Sequence, residues 1–392
     1  MTEHAAQSPT MAPNAVIDID ILIVGAGPVG MALTAALAGS AQRVLLVDSR
    51  QRGWATDPRA LALSQGSRQL LERLDAWQAT AGTAIRQIHV SQRGGFGRTL
   101  ISSEDYGLPA LGYVMRYRDL AAGLSARIPP EQRIELCTVD KIETEEHVAT
   151  VTVTHLGEKR TIKTKLIVHA EGTPDRGPDI RIRDYHQHAI VAEVRPAAGH
   201  HNRAWERFTP DGPLALLPLD QDYSTVFTVP PGKAARLLAL DDEAFLAALR
   251  DQFGQRLDFI ATGPRIGFPL TLRYRTQLVQ HRQVWIGNTA QTLHPVSGQG
   301  LNLGLRDAWE LAESLFDRAD AGDPSALKAY ARGRQIDRRG SMAFTDGIVR
   351  LFSNNVAPLN LVRGVGLLAL DLCPPLRNFV AKRMIWGARA WP

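Results

Sequence analysis

The sequence predicts a two-lobed α/β protein: a Rossmann-like dinucleotide-binding domain, an inserted β-rich lobe and a helical C-terminal region. Three observations predict it. A glycine-rich strand–turn–helix opens the chain, β-branched and aromatic runs broken by Gly and Pro fill the middle, and an apolar–basic helical pattern occupies the end. At 392 residues the chain exceeds one ordinary core, which fits separate lobes.

The opening element is "IDILIVGAGPVGMALTAALAGSAQRVLLVDSR". A short apolar strand, Ile19–Val24, leads into Gly25, Gly27 and Gly30. An Ala/Leu-rich helix follows, then a second strand, Val44–Val47, ending at Asp48. Each part has a physical reason. Gly25 permits the tight turn, Gly27 lets backbone approach a pyrophosphate, and Gly30 allows close helix–strand packing. The helix N-terminus offers unpaired N–H groups and partial positive charge to phosphates. Asp48, 18 residues past the last glycine, can accept from ribose hydroxyls. The motif does not choose FAD over NAD(P), and the chain has no second copy.

Composition narrows the class. Hydrophobic content of 44% and charged content of 22% are ordinary for a globular protein. The balance of 45 basic to 40 acidic residues gives +5, with basic residues scattered, so nucleic acid is disfavoured as a partner. Cys137 and Cys373 form neither a disulfide framework nor metal-ligand spacing, which fits a reducing compartment. Residues 1–15 read as a loose tail without the apolar core of a signal peptide. No apolar run reaches the ~20 residues of a membrane-spanning helix. The expectation is a cytoplasmic protein, peripheral to the inner membrane at most.

In the middle, "DPRALALSQGSRQLLERL" (Asp57–Leu74) reads as a loop running into an amphipathic helix. Arg59 just ahead of it is either a solvated arginine or a cofactor contact. Segments 85–101 and 187–230 ("IRQIHVSQR", "HAIVAEV", "STVFTV") read as antiparallel strands of a second lobe. Ligands commonly sit in such an inter-lobe cleft. After about residue 325 the chain is helical, rich in Leu, Val, Phe and Trp with Arg and Lys. Those helices either pack on the body or touch a membrane surface. At "IGNTAQTLHPVSGQGLNLGLRDAWEL" an apolar strand runs through polar and helix-breaking residues into a helix over Leu301–Leu315. Either His294 is a catalytic base, or the segment is a backbone cradle in which His294 is structural.

Five stretches, in order and over nearly the whole chain after residue 16, carry a resemblance. They are "VGAGPVGMALTAAL", "RALALSQGSRQLLERLDAW", "IHVSQRGGFGRT" with "YGLPALGYV", "WERFTPDGPLALLPL", and "IGNTAQTLHPVSGQGLNLGLRD". The chain resembles the FAD-dependent aromatic hydroxylases of ubiquinone biosynthesis, within the para-hydroxybenzoate hydroxylase-like flavoprotein monooxygenases. It looks most like their 2-polyprenyl-6-methoxyphenol hydroxylase (UbiH-type) branch. The resemblance implies an α/β fold with an FAD-binding domain, an inserted antiparallel β-sheet substrate domain and a helical C-terminal region. The expected segments are 16–84, 112–180 and 276–325 for the FAD-binding domain, 85–111 and 181–275 for the substrate domain, and 326–392 for the helical region.

It also implies site residues. Gly25, Gly27, Gly30, Asp48, Arg59, Arg116, Gly287, Asn288, Pro295, Gly298, Gln299, Gly300, Leu301 and Asn302 would contact FAD. Pro295, Gly298 and Gly300 would form the flavin-ring environment, with no acid or base residue assigned. Asn288 stands where many members have Asp and keeps an acceptor for the ribityl hydroxyls. Glu171 and Asp175 depart from the family's Asp and Ser in "HAEGTPD", a segment associated with pyrophosphate and NAD(P)H contacts. Arg116 stands where relatives often carry Glu or Gln.

The implied reaction is hydroxylation of a polyprenylated phenol with NAD(P)H and O2 through a flavin C4a-hydroperoxide. The implied surroundings are a membrane surface and a ubiquinone-biosynthesis protein complex, with no metal. Two other readings stand beside it: an FAD oxidoreductase of the same fold acting on a different aromatic or isoprenoid, and a non-catalytic flavin-binding scaffold. A plain NAD dehydrogenase would require a colourless protein.

Overall fold

The computed structural model describes residues 16–387 apart from 53, 54, 79, 175 and 354–356; the expected tail and Asp175 lie outside these. Among the described residues are nine α-helices: α1 Pro28–Ala36, α2 Gln65–Arg73, α3 Tyr117–Ser125, α4 Pro231–Leu238, α5 Asp242–Phe253, α6 Gln299–Leu315, α7 Pro324–Phe352, α8 Ala357–Leu372 and α9 Pro374–Trp386.

The first sheet is built on parallel strands in the order Gln283–Trp285, Glu158–His169, Val16–Val24, Val44–Val47 and Arg133–Ile134. Its central strands are covered on both sides, which is why they read as continuous apolar runs. Ile21, Ile23, Leu46 and Val168 pack against α1, α3 and α6. Leu22, Leu45, Val47 and Ile167 face an antiparallel pair, Cys137–Thr144 and Ala149–His155. The first strand begins at Val16, earlier than the expected Ile19.

The second sheet has nine strands and surrounds the long strand Ile180–Pro196. Its pairing is antiparallel except that Gln87–Gln92 runs parallel to Arg203–Thr209. The sequence reading expected antiparallel strands here. The exception arises because the two strands are joined through residues 93–202, which include α3 and four strands of the first sheet, a crossover long enough for parallel pairing. Period-two alternation gives this sheet two faces. Ile190, Leu214, Leu216 and Phe227 pack against α4 and α5, with Phe245 and Leu249 filling that core.

A three-stranded sheet, Ala60–Ser64, Gly112–Arg116 and Gly82–Ile85, lies at the junction. Ala60–Ser64 was expected as loop; it forms a strand because Gly112–Arg116 supplies a full antiparallel ladder for it. Ser64 then caps α2, its hydroxyl accepting from Ser67 N at 3.2 Å. Asp323 starts α7 in the same way, accepting from Ser325 N and Ala326 N.

Candidate functional site

Two helix N-termini define the cofactor side of the site. At α1, Gly25 has φ +105°, and a Cβ there would stand 2.6 Å from Ala170 backbone. Gly30 is held as tightly: its added Cβ would meet Gly25 O at 2.0 Å. Gly27 differs, since a Cβ there would face only the Tyr117 hydroxyl at 3.6 Å. Gly27 caps α1 without a side-chain bond, and Pro28 occupies the first turn. The remaining first-turn N–H groups have no partner within the helix, an arrangement suited to a ligand's phosphates.

Asp48 is buried at the end of its strand. Its Oδ2 accepts from Ala26 N at 2.7 Å and its Oδ1 from Arg50 N at 2.8 Å. Each oxygen keeps a second lone pair for a ribose hydroxyl. A small cleft here is bordered by Gly27, Asp48, Arg50, Arg52, Tyr117 and Glu135. Arg59 reaches the same neighbourhood: it pairs with Asp57 at 2.6 Å and lies over the Tyr117 ring at 5.0 Å. Arg116 does not join this cluster. It grips Glu193 and Asp220 and so ties the junction sheet to the second sheet.

The second N-terminus is that of α6. Gly287 has φ +60° and Gly298 φ +59°, conformations that favour glycine. A Cβ on Gly300 would meet nothing within 4 Å, so backbone lies open to a flat ligand there. Asn288 and Pro295 are exposed beside it, and Leu301 is half-buried. Gln299 is buried and donates to Met384 O at 3.2 Å. Asn302 is a clamp: Oδ1 accepts from Ser64 N at 2.8 Å, while Nδ2 donates to Ala62 O at 2.9 Å and Gly298 O at 2.6 Å. It therefore fixes the loop to the junction strand with all its polar atoms engaged.

His294 is 1% exposed. Its Nδ1 accepts from Val296 N at 3.1 Å, and its ring meets Tyr185 edge-on at 5.2 Å. Burial pulls the imidazole down to about 4, so it stays neutral near pH 7. With Nδ1 accepting, the proton sits on Nε2, which has no partner among the described residues.

The loop is braced from behind by a buried ionic network. Asp307 Oδ2 accepts from Gly287 N at 3.1 Å and Gln291 Nε2 at 2.8 Å. Its Oδ1 accepts from Arg334 Nε at 2.7 Å. Arg334, fully buried, also holds Asp337 at 3.0 Å and Glu310 at 2.5 Å. Arg338 adds bonds to Gln291 Oε1 at 2.8 Å and Ala290 O at 3.0 Å. The divergent "HAEGTPD" segment abuts both motifs. Ala170 N donates to Val24 O at 2.7 Å, and Thr289 Oγ1 donates to His169 O at 2.7 Å. Glu171 meets His169 Nδ1 at 3.1 Å.

A cavity of about 290 Å³ lies against the Pro295–Asn302 loop. Its floor is Pro295, Val296, Gly298 and Asn302 of the loop. One wall is the second sheet through Ala204, Phe208, Ala215, Leu217 and Val226. The other wall is α7, α8 and α9 through Phe344, Ile348, Leu367, Leu370, Val380 and Met384. The lining is almost wholly apolar. One acidic residue, Glu206, belongs to it.

The structure thus gathers Gly25, Gly27, Gly30, Asp48 and Arg59 at α1, and Gly287, Asn288, Pro295, Gly298, Gln299, Gly300, Leu301 and Asn302 at α6. Sequence reasoning passed over Tyr117, Asp307, Arg334 and Glu206. "GLRD" had already been quoted as a motif, so Asp307 had a signal. Arg334 and Glu206 had none, because only the fold shows that these charges are buried.

The chain matches a family model described as FAD binding domain over residues 18–339. It is 32% identical to the ubiquinone hydroxylase UbiL of Rhodospirillum rubrum, with 95% of this chain and 91% of that protein covered. It is 27% identical to the 3-demethoxyubiquinol 3-hydroxylase of Escherichia coli, covering 93% and 97%. The human mitochondrial ubiquinone biosynthesis monooxygenase COQ6 is also 27% identical, covering 92% and 91%. Among solved structures, p-nitrophenol 4-monooxygenase from Pseudomonas putida superposes with a TM-score of 0.76 at 14% identity, covering 95% and 100%. The rebeccamycin biosynthetic enzyme RebC gives 0.67 at 21%, covering 95% and 77%.

Proposed function

The chain belongs to the FAD-dependent ubiquinone-biosynthesis hydroxylase family, and from that premise we propose that it hydroxylates a polyprenylated phenol, 2-polyprenyl-6-methoxyphenol in the first instance. The observation that carries this reading is the apolar cavity that ends on the Pro295–Asn302 loop. An aromatic ring fits against the loop, and an isoprenoid tail matches the aliphatic walls. Chain polarity elsewhere in the site is spent on holding backbone.

FAD fits the residues present. The α1 N-terminus and Asp48 suit its pyrophosphate and ribose, the open backbone at Gly300 suits the ring, and Asn288 suits the ribityl hydroxyls. When bound, FAD supplies the redox chemistry, taking hydride from NAD(P)H and delivering one oxygen atom of O2 to the ring. The chain orients the phenol, excludes water through its apolar walls, and stabilises negative charge on the ring with the α6 N-terminus. The brace around Asp307 keeps that geometry rigid.

The same reading places the protein at a membrane surface, where such a substrate resides. No helix among the described residues is long and apolar enough to cross a membrane. Yet α8 carries apolar residues on both faces, and α9 exposes Phe379 together with Lys382 and Arg383. Leu367, Leu370 and Val380 line the cavity, while Leu361, Val365, Leu372 and Phe379 are exposed at 61, 52, 72 and 54%. A helix apolar all round calls for cover on its outer side. Trp391, part of the expected patch, lies outside the described residues.

The deciding experiment is quinone-intermediate profiling in a deletion strain. Accumulation of 2-polyprenyl-6-methoxyphenol supports the assignment, and an unchanged profile refutes it. Bleaching of the bound flavin by NAD(P)H, with reoxidation in air, separates an enzyme from a scaffold.

A further inference from the structure

Glu206 lies on the strand Arg203–Thr209, between Val90 and Ala215 on the neighbouring strands. Alternation sends Ala204, Glu206 and Phe208 to the cavity. Its basic neighbours on the strand point away: Arg207 bonds Ser91 Oγ at 3.1 Å, and Arg203 bonds Gln87 Oε1 at 2.7 Å. The His89 ring lies tilted against Trp205, with centroids 4.6 Å apart.

The other polar side chains of the lining have partners. Thr99 donates to Leu367 O, Gln299 to Met384 O and Trp205 to Tyr223 Oη; Ser64 bonds Ser67, and Asn302 clamps the loop. Arg377, a cation of the lining, donates through Nη1 to Asp371 O, while its Nε has no partner among the described residues. Glu206 Oε1 is shut off from solvent with no hydrogen-bond partner among the described residues. An orphan carboxyl in an apolar chamber is costly, and a polar group of a ligand entering the chamber would complete it. Burial alone pushes it up to about 8.

We propose that Glu206 is the base for the substrate's phenol: the O–H bond breaks, the proton passes to the Glu206 carboxylate, and the electron pair left on oxygen enriches the ortho and para ring carbons where oxygen is inserted. The step consumes no oxidant of its own and rests on the phenol-hydroxylase reading above. Phenols ordinarily titrate near ~10. A base of about 8 is thus far better matched to the phenol than an exposed carboxylate would be. It also completes the chamber's one unpartnered carboxyl oxygen.

The test uses the FAD-loaded enzyme, with 2-prenyl-6-methoxyphenol as probe. Product formation is followed from pH 6 to 9.5, and the ultraviolet difference spectrum of the bound phenol is recorded separately. Wild type should gain about tenfold in kcat/KM per pH unit up to about 8 and then level, with the bound phenol largely un-ionised at rest because a base of about 8 holds only about 1% of a phenol near ~10 as phenolate. Glu206→Gln should lose about 10²–10⁴-fold and flatten the profile. Glu206→Asp should restore the acid limb at reduced rate, and it carries the test if the Gln variant fails to hold FAD. Wild-type rate and profile in Glu206→Gln would overturn the assignment. So would a wild-type profile with no acid limb below about 8. Phenol binding whose pH dependence breaks near 8 in wild type but not in Glu206→Gln, with no hydroxylation by wild type, defeats the phenol-hydroxylase reading while sparing Glu206's contact with the phenol.

Discussion

Arg334→Met tests whether the buried network holds the cofactor loop. Arg334 has 0% side-chain exposure, and its three carboxylate partners, Asp307, Glu310 and Asp337, show 3, 24 and 2%. Methionine fills much of the volume but removes the charge. Asp337 keeps Arg306 at 2.7 Å, whereas Asp307 is left with only Gly287 N and Gln291 Nε2. Removing one partner of a buried pair costs about 3–5 kcal/mol, since the other charge stays buried. Unfolding entropy of ~2.1 cal/mol/K per residue gives about 0.8 kcal/mol/K for this chain, so melting should fall by about 4–6 °C. The assay is thermal melting of the apo-protein with a parallel FAD titration. Because Asp307 also positions Gly287, FAD affinity should weaken about tenfold, or about 1.4 kcal/mol. Arg334→Lys should recover little, since one ammonium cannot fork toward three carboxylates. A melting shift under about 1 °C with unchanged FAD affinity would refute the argument.

Gly30→Ala should give protein without bound FAD, because its methyl would stand 2.0 Å from Gly25 O; flavin absorbance of the purified protein checks this. His294→Gln should retain FAD and hydroxylation, and a variant that binds FAD yet loses all turnover would make His294 catalytic. The folded His294 is depressed to about 4 from an ordinary 6.5, so its neutral form stabilises the fold above pH ~6.5. That contribution is lost as pH falls through about 4, so wild type should lose roughly 3 kcal/mol relative to the variant over that window, read by urea unfolding. Leu372→Ser with Phe379→Ser should weaken vesicle binding by roughly 100-fold, taking about 1.5 kcal/mol for each side chain. Unchanged sedimentation with vesicles would remove the membrane-facing role. Point substitutions are the test because deleting α8 and α9 would also strip the cavity wall.

The elements legible in the sequence were those set by local chemistry. Gly25, Gly27 and Gly30 declare a tight turn and close packing because no other residue fits, and Val44–Val47 declares a buried strand by composition. Ala60–Ser64 was misread because its strand identity comes from Gly112–Arg116, some fifty residues away. The parallel pairing of Gln87–Gln92 with Arg203–Thr209 is hidden for the same reason. In the site, the loop residues 287–302 were visible through their glycines and the family likeness. Asn302 and Arg116 were visible as residues but not as clamps, since their partners Ala62, Ser64, Glu193 and Asp220 are distant in sequence. Glu206 reads as an ordinary surface acid until alternation and cross-strand register place it in an apolar wall.

The brace behind the loop has a consequence for synthesis on the ribosome. The α1 turn is complete once the first fifty or so residues have emerged, but the loop it works with spans 287–302, and the arginines that tension that loop are Arg334 and Arg338. The strand Val16–Val24 itself waits for Glu158–His169, which in turn borders Gln283–Trp285. A nascent chain therefore carries an unfinished, partly apolar first lobe for most of its translation, with exposed strand edges. On the proposed reading FAD cannot be held firmly early, because the loop 287–302 lacks its brace until α7 is made. Flavin loading is consequently a late event that reports completion of the C-terminal third.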